Sequence, residues 1–415
     1  MRLETELDRR KFLLTAAGAA AAVLAGCTRS GESTTASSVA PSLPQAVLPS
    51  VTAVAADCLS EQAAPAAPLW QEALARGVVY GSSAATWQLS DARYRSLFEE
   101  QAGIVFTEDD LLWWRLRPTP GSDLDFTYAD RIIDLAQRNG MLVFGAHLVW
   151  DEGFGDGWTD DDLWGMSHKN ATQLIHSTID TVVRRYRGKV AAWSVVNEAI
   201  DTNGVRTNVP WYSTIGPSYI ADAFRAAHEA DPTALLVYND YGYETDIDGD
   251  TAADKRAATL DVLDELLSQG VPVHALGVQA HLHAAHFSDK FDGDAYRTFL
   301  SDIGARGMKI LITEMDVLDD GLPADPDKRD EAVADVYATY LGAALQETDI
   351  AALMTFGLSD RYTWLQEDYP REDGAARRPL PFDDSMQPKP ALSALQTSLN
   401  GASPRTPFWV PPRCS

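Results

Sequence analysis

Positive charge is scarce in this 415-residue chain: 34 Lys and Arg stand against 60 Asp and Glu, a formal net charge of −26. A surface this acidic repels phosphate backbones and anionic headgroups, which argues against nucleic acid as a partner and says nothing against a neutral polymer. No Gly-rich phosphate loop opens any helical pattern, which weakens a nucleotide-binding reading. No His and carboxylate cluster has metal-ligand spacing, so neither a metal nor another cofactor is expected. Only three cysteines occur, Cys27, Cys58 and Cys414.

Long apolar runs are also missing. The segment 13–25 is Ala-rich, weakly apolar and too short for a permanent bilayer-spanning helix. It follows Arg9-Arg10 and ends in Leu24-Ala25-Gly26-Cys27, an order that looks like a twin-arginine export signal (1–26) with a lipobox, cleaved before Cys27 and acylated on its thiol. An ordinary cleaved signal or a short buried helix is the plainer alternative. Lipidation would hold an exported domain at an extracytoplasmic membrane face, on the periplasmic side or at the cell surface, without spanning it. Residues 27–67 are rich in Ser, Thr, Ala and Pro and read as a flexible tether to one domain at 68–415. With Cys27 lipidated, Cys58 and Cys414 are left either to pair across the domain ends or to remain two free thiols.

Within the domain, short β-rich runs alternate with helical patterns. Strands are expected at 77–81, 104–106, 141–150, 190–196, 234–238, 273–278, 309–317 and 351–356. The intervening helices fall at 92–101, 128–139, 171–186, 219–230, 257–269, 296–306 and 330–346. Eight such units with no hairpin signal between strands argue for a closed (β/α)8 TIM barrel over an open doubly wound sheet.

The polar residues gather after the strands. The fourth strand ends in Asn197-Glu198, the fifth in Asn239-Asp240-Tyr241, the sixth in Gln279-Ala280-His281 and the seventh in Glu314-Met315-Asp316. A lone carboxylate at a strand end is as readily a loop cap as a catalyst. Across a barrel mouth, however, the fourth and seventh tips face each other, and two carboxylates flanking an aromatic-lined cleft are the apparatus for cleaving a glycosidic bond.

At these residues the chain resembles the family 10 glycoside hydrolases, a group dominated by retaining endo-β-1,4-xylanases. The likeness runs from Tyr80 to Leu392 through WSVVNEA at 193–199, DPTALLVYNDY at 231–241, GVQAH at 277–281, ITEMDV at 312–317 and GLSDRYTWL at 357–365. It implies Glu198 as acid/base, Glu314 as nucleophile, and Asn197 as a contact to the sugar 2-hydroxyl. His281 would hold Glu314 ionised, with Asp316 behind the imidazole. Gln279 and Tyr241 would line the same subsite, and Trp364 would stack on a sugar.

Departures from the family pattern cluster around sugar recognition. Where the family carries ENxMKW, this chain has Glu108-Asp109-Asp110-Leu111-Leu112-Trp113, losing an Asn and a Lys. GHTLVWH appears as Gly145-Ala146-His147-Leu148-Val149-Trp150-Asp151, which displaces the first His by one residue and should turn His147 to the other face of its strand unless a bulge re-aims it. Phe356 replaces a Trp. Glu108, Asp109, His147, Trp150 and Phe356 therefore join the expected substrate contacts, in a shell altered enough to leave the sugar open. The expected partners are a polysaccharide or oligosaccharide, xylan first and another β-1,4-glycan second, and a membrane through the lipid anchor only. No nucleic acid is expected, and the protein should be a monomer. A carbohydrate-binding protein that keeps the barrel without turnover is the alternative from another class.

Overall fold

A computed structural model describes residues 43–49, 67–247, 249–285 and 287–414. The signal segment, Cys27 and Cys58 lie outside the described residues. Among those described, eight parallel strands form a ring: β1 (Val79–Ala84), β2 (Ile104–Thr107), β3 (Leu142–Gly145), β4 (Ala192–Asn197), β5 (Leu235–Asp240), β6 (Ala275–Val278), β7 (Lys309–Leu318) and β8 (Ile350–Thr355). Each strand pairs with its successor, and β8 pairs back onto β1 with Val79 opposite Ala352. The fold is a (β/α)8 barrel, and the open-sheet alternative is excluded by that closing pair.

Eight helices cover the outside: α1 (Ala92–Gln101), α2 (Thr127–Arg138), α3 (His168–Arg185), α4 (Tyr219–Ala230), α5 (Ala252–Ser268), α6 (Gly293–Ala305), α7 (Pro326–Ala344) and α8 (Pro390–Gly401). Their starts are written in side chains that satisfy free N–H groups. Asp91, Ser167, Thr251, Asp292 and Asp325 each accept a bond from the first turn that follows them, and Pro326 occupies the first position of α7. The strands need no alternation because both faces are covered. Ile310, Leu311 and Ile312 of β7 are fully buried, each such side chain contributing roughly 1.5–3 kcal/mol. One apolar cluster fills the barrel interior, including Phe106, Phe144, Val237, Leu311 and Met354, and Trp409 joins it.

The face at the strand N-termini is sealed by the C-terminal tail. Arg405 donates to the carbonyls of Leu345, Glu347 and Ile350, and Arg413 to those of Glu99, Ala102 and Asn139. Part of the expected tether also packs here: Ala46 N–H donates to Arg306 O at 2.8 Å and Gln45 Nε2 to Ala305 O at 2.9 Å. Cys414 is disulfide-bonded, and its expected partner Cys58 falls outside the described residues.

Two local expectations are corrected. The third strand stops at Gly145 rather than running to Trp150. A two-residue antiparallel hairpin, Ile200–Asp201 with Gly204–Val205, is inserted after β4. The strand termini at the opposite, C-terminal face are left open, and the polar tips collect there.

Candidate active site

Glu198 follows the last residue of β4 and has φ 57°, while Ala280, between β6 and His281, has φ 60°. Left-handed backbone is uncommon for residues with a side chain and is held in place only by its surroundings. Here the two positions flank the same centre. Glu198 N–H is anchored to Asn239 O at 2.9 Å, and Glu314 N–H to Gln279 O at 3.0 Å, so the tips of β4 to β7 are tied into one frame.

Three donors hold the Glu198 carboxyl. Asn197 Nδ2 and Gln279 Nε2 reach Oε1 at 3.0 and 2.8 Å, and Trp150 Nε1 reaches Oε2 at 3.0 Å. Glu314 is buried, with Asn239 Nδ2 on Oε1 at 2.7 Å and His281 Nε2 3.5 Å from Oε2. The other imidazole nitrogen, Nδ1, lies 2.8 Å from Asp316 Oδ1, and Asp316 Oδ2 accepts Trp364 Nε1 at 2.7 Å. The same Asn239 amide donates to Asn197 Oδ1 at 2.8 Å, so one hydrogen-bonded chain runs Glu314, Asn239, Asn197, Glu198. Gly277 is required beside it: a Cβ there would stand 2.2 Å from Asn239 Oδ1.

These surroundings push the two carboxyls apart in acidity. Burial, followed by the charge of Glu152, raises Glu198 to about 7, against the Gln279 hydrogen bond that lowers it. Burial also acts to raise Glu314, yet the hydrogen bond and charge of His281, with His147 and Asn239, bring it below its ordinary value. Burial disfavours the charged form of His281, but Asp316 and Glu314 overcome it and lift the imidazole to about 10. At neutral pH the centre therefore holds a protonatable carboxyl and an ionised one, separated by amides and backed by an imidazolium. That combination suits proton donation at one side of a bond and nucleophilic attack at the other.

Of the remaining expected contacts, Trp150 and Gln279 bond to this pair, Trp364 and Phe356 pack on His281, and Glu108 and Asp109 bond to other partners. Trp150 meets Glu198 directly, Gln279 does the same, and Trp364 stands 5.2 Å from the His281 ring. Phe356 packs edge-on to His281 at 5.6 Å and to Phe106 at 5.8 Å. Tyr241 is at the rim, 39 % exposed, where burial and the Glu198 charge both raise its phenol. Glu108 accepts Ser83 Oγ at 2.7 Å and Gln88 Nε2 at 2.9 Å, and burial pushes it up to about 8. Asp109 accepts Trp87 Nε1 at 2.9 Å.

The expectation for His147 is overturned. It does not turn away: it is buried, its Nδ1 is 2.7 Å from Ser194 Oγ on β4, and its ring meets Trp150 and Phe106 edge-on at 5.5 and 5.7 Å. The strand ends two residues before His147, so alternation does not extend to it. Burial lowers its pKa to about 4, with Glu314 acting in the opposite sense, which leaves it neutral beside the centre.

Two residues escaped the sequence reading. Asn239 stands among the strand-tip residues, but a short amide carries no signal that it touches both halves of the pair. Arg115 lies one turn after Leu112 and places its guanidinium 3.7 Å from both Asp109 and Asp110, stacked over Trp114 and Tyr128 at 4.3 and 4.5 Å. Leu112, at the position matched to the family Lys, is buried and brings no cation there, while Arg115 spends its charge on the two aspartates.

Comparisons with known proteins place this fold in a family. The model of the family described as Glycosyl hydrolase family 10 matches residues 69–398. Beta-1,4-xylanase of Dictyoglomus thermophilum is 32% identical over 326 residues, covering 74% of this chain and 85% of that protein. Endo-1,4-beta-xylanase B of Thermotoga neapolitana is 30% identical over 316 residues, covering 75% and 84%. Native xylanase 10B from Thermotoga maritima superposes with a TM-score of 0.71 at 30% identity, covering 80% of this chain and 98% of that one. Xylanase 10B from Thermotoga petrophila RKU-1, solved in complex with xylobiose, gives 0.72 at 29% identity, covering 82% and 99%. With the family model matched over residues 69–398 and the barrel shared with solved xylanases, this chain belongs to glycosyl hydrolase family 10 and is a glycoside hydrolase.

Proposed function

We propose that the protein is an endo-β-1,4-xylanase that cleaves with retention of anomeric configuration. The observation carrying this reading is the strand-tip pair Glu198 and Glu314, joined by one hydrogen-bonded chain through Asn197 and Asn239 in a chain matched to family 10 over residues 69–398, with burial raising the first carboxyl and His281 lowering the second. In the first step the Glu314 carboxylate attacks the anomeric carbon, the glycosidic C–O bond breaks, and Glu198 gives its proton to the departing oxygen. In the second, Glu198 takes a proton from water, the hydroxyl adds to the anomeric carbon, and the bond to Glu314 breaks. The His281 imidazolium keeps Glu314 ionised for attack, and Asp316 orients the imidazole. Asn197 contacts the 2-hydroxyl of the reacting sugar, and Trp364 stacks on a sugar face.

Xylan is the leading polymer because the relatives above carry xylanase names. Another β-1,4-glycan is favoured by the exchange of the family Lys for buried Leu112. Incubation with linear xylan, β-glucan and aryl glycosides, reading reducing ends and product lengths, separates the two. Xylo-oligosaccharides of mixed length support the proposal, while single-unit release or no turnover of xylan overturns it.

The signal reading is also a proposal: export through a twin-arginine signal, acylation at Cys27, and residence on an extracytoplasmic membrane face. Metabolic labelling with a fatty acid tests it. Label that disappears in Cys27→Ala supports an anchor, and an unlabelled wild-type protein overturns it.

A further inference from the structure

Between α1 and α2, beneath the β1 to α1 loop, lies an open groove of about 390 Å³, lined among others by Trp87, Arg95, Tyr128, Arg131 and Arg138. Its size is within the roughly 300–1,000 Å³ of small-molecule sites. Trp87 is 50 % exposed, yet fixed at two edges: Nε1 donates to Asp109, and the ring meets Tyr362 edge-on at 5.6 Å. An exposed indole held in this way is a stacking platform for a sugar ring. The groove is tied twice to Asp109, two residues past the tip of β2 on the open face of the barrel: by Trp87 directly, and by Tyr128, over which Arg115 stacks while lying 3.7 Å from Asp109.

Charge separates this groove from the rest of the surface. The chain carries 60 acidic residues against 34 Lys and Arg, yet among the described residues none of Arg95, Arg131 and Arg138 forms an ion pair with a carboxylate. Arg95 spends one nitrogen on Leu89 O at 3.1 Å, and Arg131 lies 5.6 Å from the Tyr128 ring. Guanidinium groups left free beside an aromatic platform are suited to a carboxylate borne on a sugar. A neutral, unbranched chain gives them nothing to bind.

We propose that this groove is a subsite for a uronic acid branch on the polysaccharide, its ring on Trp87 and its carboxylate between Arg95 and Arg131. The inference rests on the proposed xylan activity and adds a substrate class to it. Arg131 is one turn into α2, near the cleft side, whereas Arg138 is seven residues further, about 10 Å down the helix. A single-sugar branch reaches the first and not the second.

The test uses three xylo-oligosaccharides of equal length: linear, carrying one uronic acid branch, and carrying the same branch with its carboxyl reduced to an alcohol. Both kcat/KM and calorimetric binding are read. The branched substrate should be favoured over its reduced form, and Arg131→Ala should lower that preference about five- to tenfold, through KM. Arg138→Ala should leave the preference within about twofold, as expected for a charge outside reach of the branch. Equal treatment of the acidic and reduced branches by the wild type, or an unchanged preference in Arg131→Ala, overturns the inference. Binding without cleavage sinks the proposed activity alone, because the binding ratio still decides the subsite. Failure to bind any of the three overturns both.

Discussion

Asn239 Nδ2 donates to Glu314 Oε1 at 2.7 Å and to Asn197 Oδ1 at 2.8 Å, so one amide touches the ionised carboxyl and the support of the protonated one. Thr313 Oγ1 donates to its Oδ1 at 2.8 Å, fixing which way the amide faces. Asn239→Ala is expected to lower kcat by about 10²-fold, the usual cost of losing a preorganised donor, with little change in KM. Steady-state kinetics on an aryl xylobioside checks the split; an effect confined to KM would contradict it.

The two carboxyls should fail differently. Glu314→Gln is expected to lose roughly 10⁴-fold or more in turnover on every substrate. Glu198→Ala should lose about 10²- to 10⁴-fold on polymer but recover with azide on activated aryl glycosides, which need no proton donor. Azide rescue of the Glu314 variant alone would reverse the two roles.

Activity requires Glu198 protonated and Glu314 ionised. With Glu198 raised to about 7, kcat/KM should fall as pH rises through that value, and with Glu314 depressed the acid limb should lie below 4.5. Glu152 is the largest charge acting to raise Glu198, so Glu152→Gln should move the alkaline limb to lower pH. A pH profile of the variant superimposable on the wild type would rule this out.

His281 also predicts a stability window. Its folded pKa of about 10 lies above the ordinary 6.5, so the protonated form is favoured by folding. The stabilisation is complete below about pH 6.5 and is lost as pH rises through about 10. The melting-temperature gap between wild type and His281→Gln should therefore be widest in the acidic range and narrow towards pH 10.

Much of this was legible in the sequence, for identifiable reasons. Barrel strands buried on both faces announce themselves as apolar runs, and the seventh, read at 309–317, is observed at Lys309–Leu318. Residues 197, 198, 279, 281, 314 and 316 converge because a parallel barrel brings every strand tip to one face. His147 was misread because alternation was carried past the end of a strand that stops at Gly145. Arg115 was missed because its placement depends on a one-turn helix, Trp113–Leu116, and on stacking over Tyr128, thirteen residues further along the chain.

The ends of the domain give a covalent prediction. Cys414 is disulfide-bonded, and we propose Cys58 as its partner. Intact mass should rise by two hydrogens on reduction, with one peptide pair linking the two sites. Two alkylatable thiols at Cys58 and Cys414 in the native protein would contradict the pairing.

The central claim, double displacement through Glu314, is tested most directly by a proton NMR time course of xylo-oligosaccharide cleavage. The account predicts that the β-anomer of the new reducing end appears first and mutarotates afterwards. First appearance of the α-anomer would mean inversion and would contradict it.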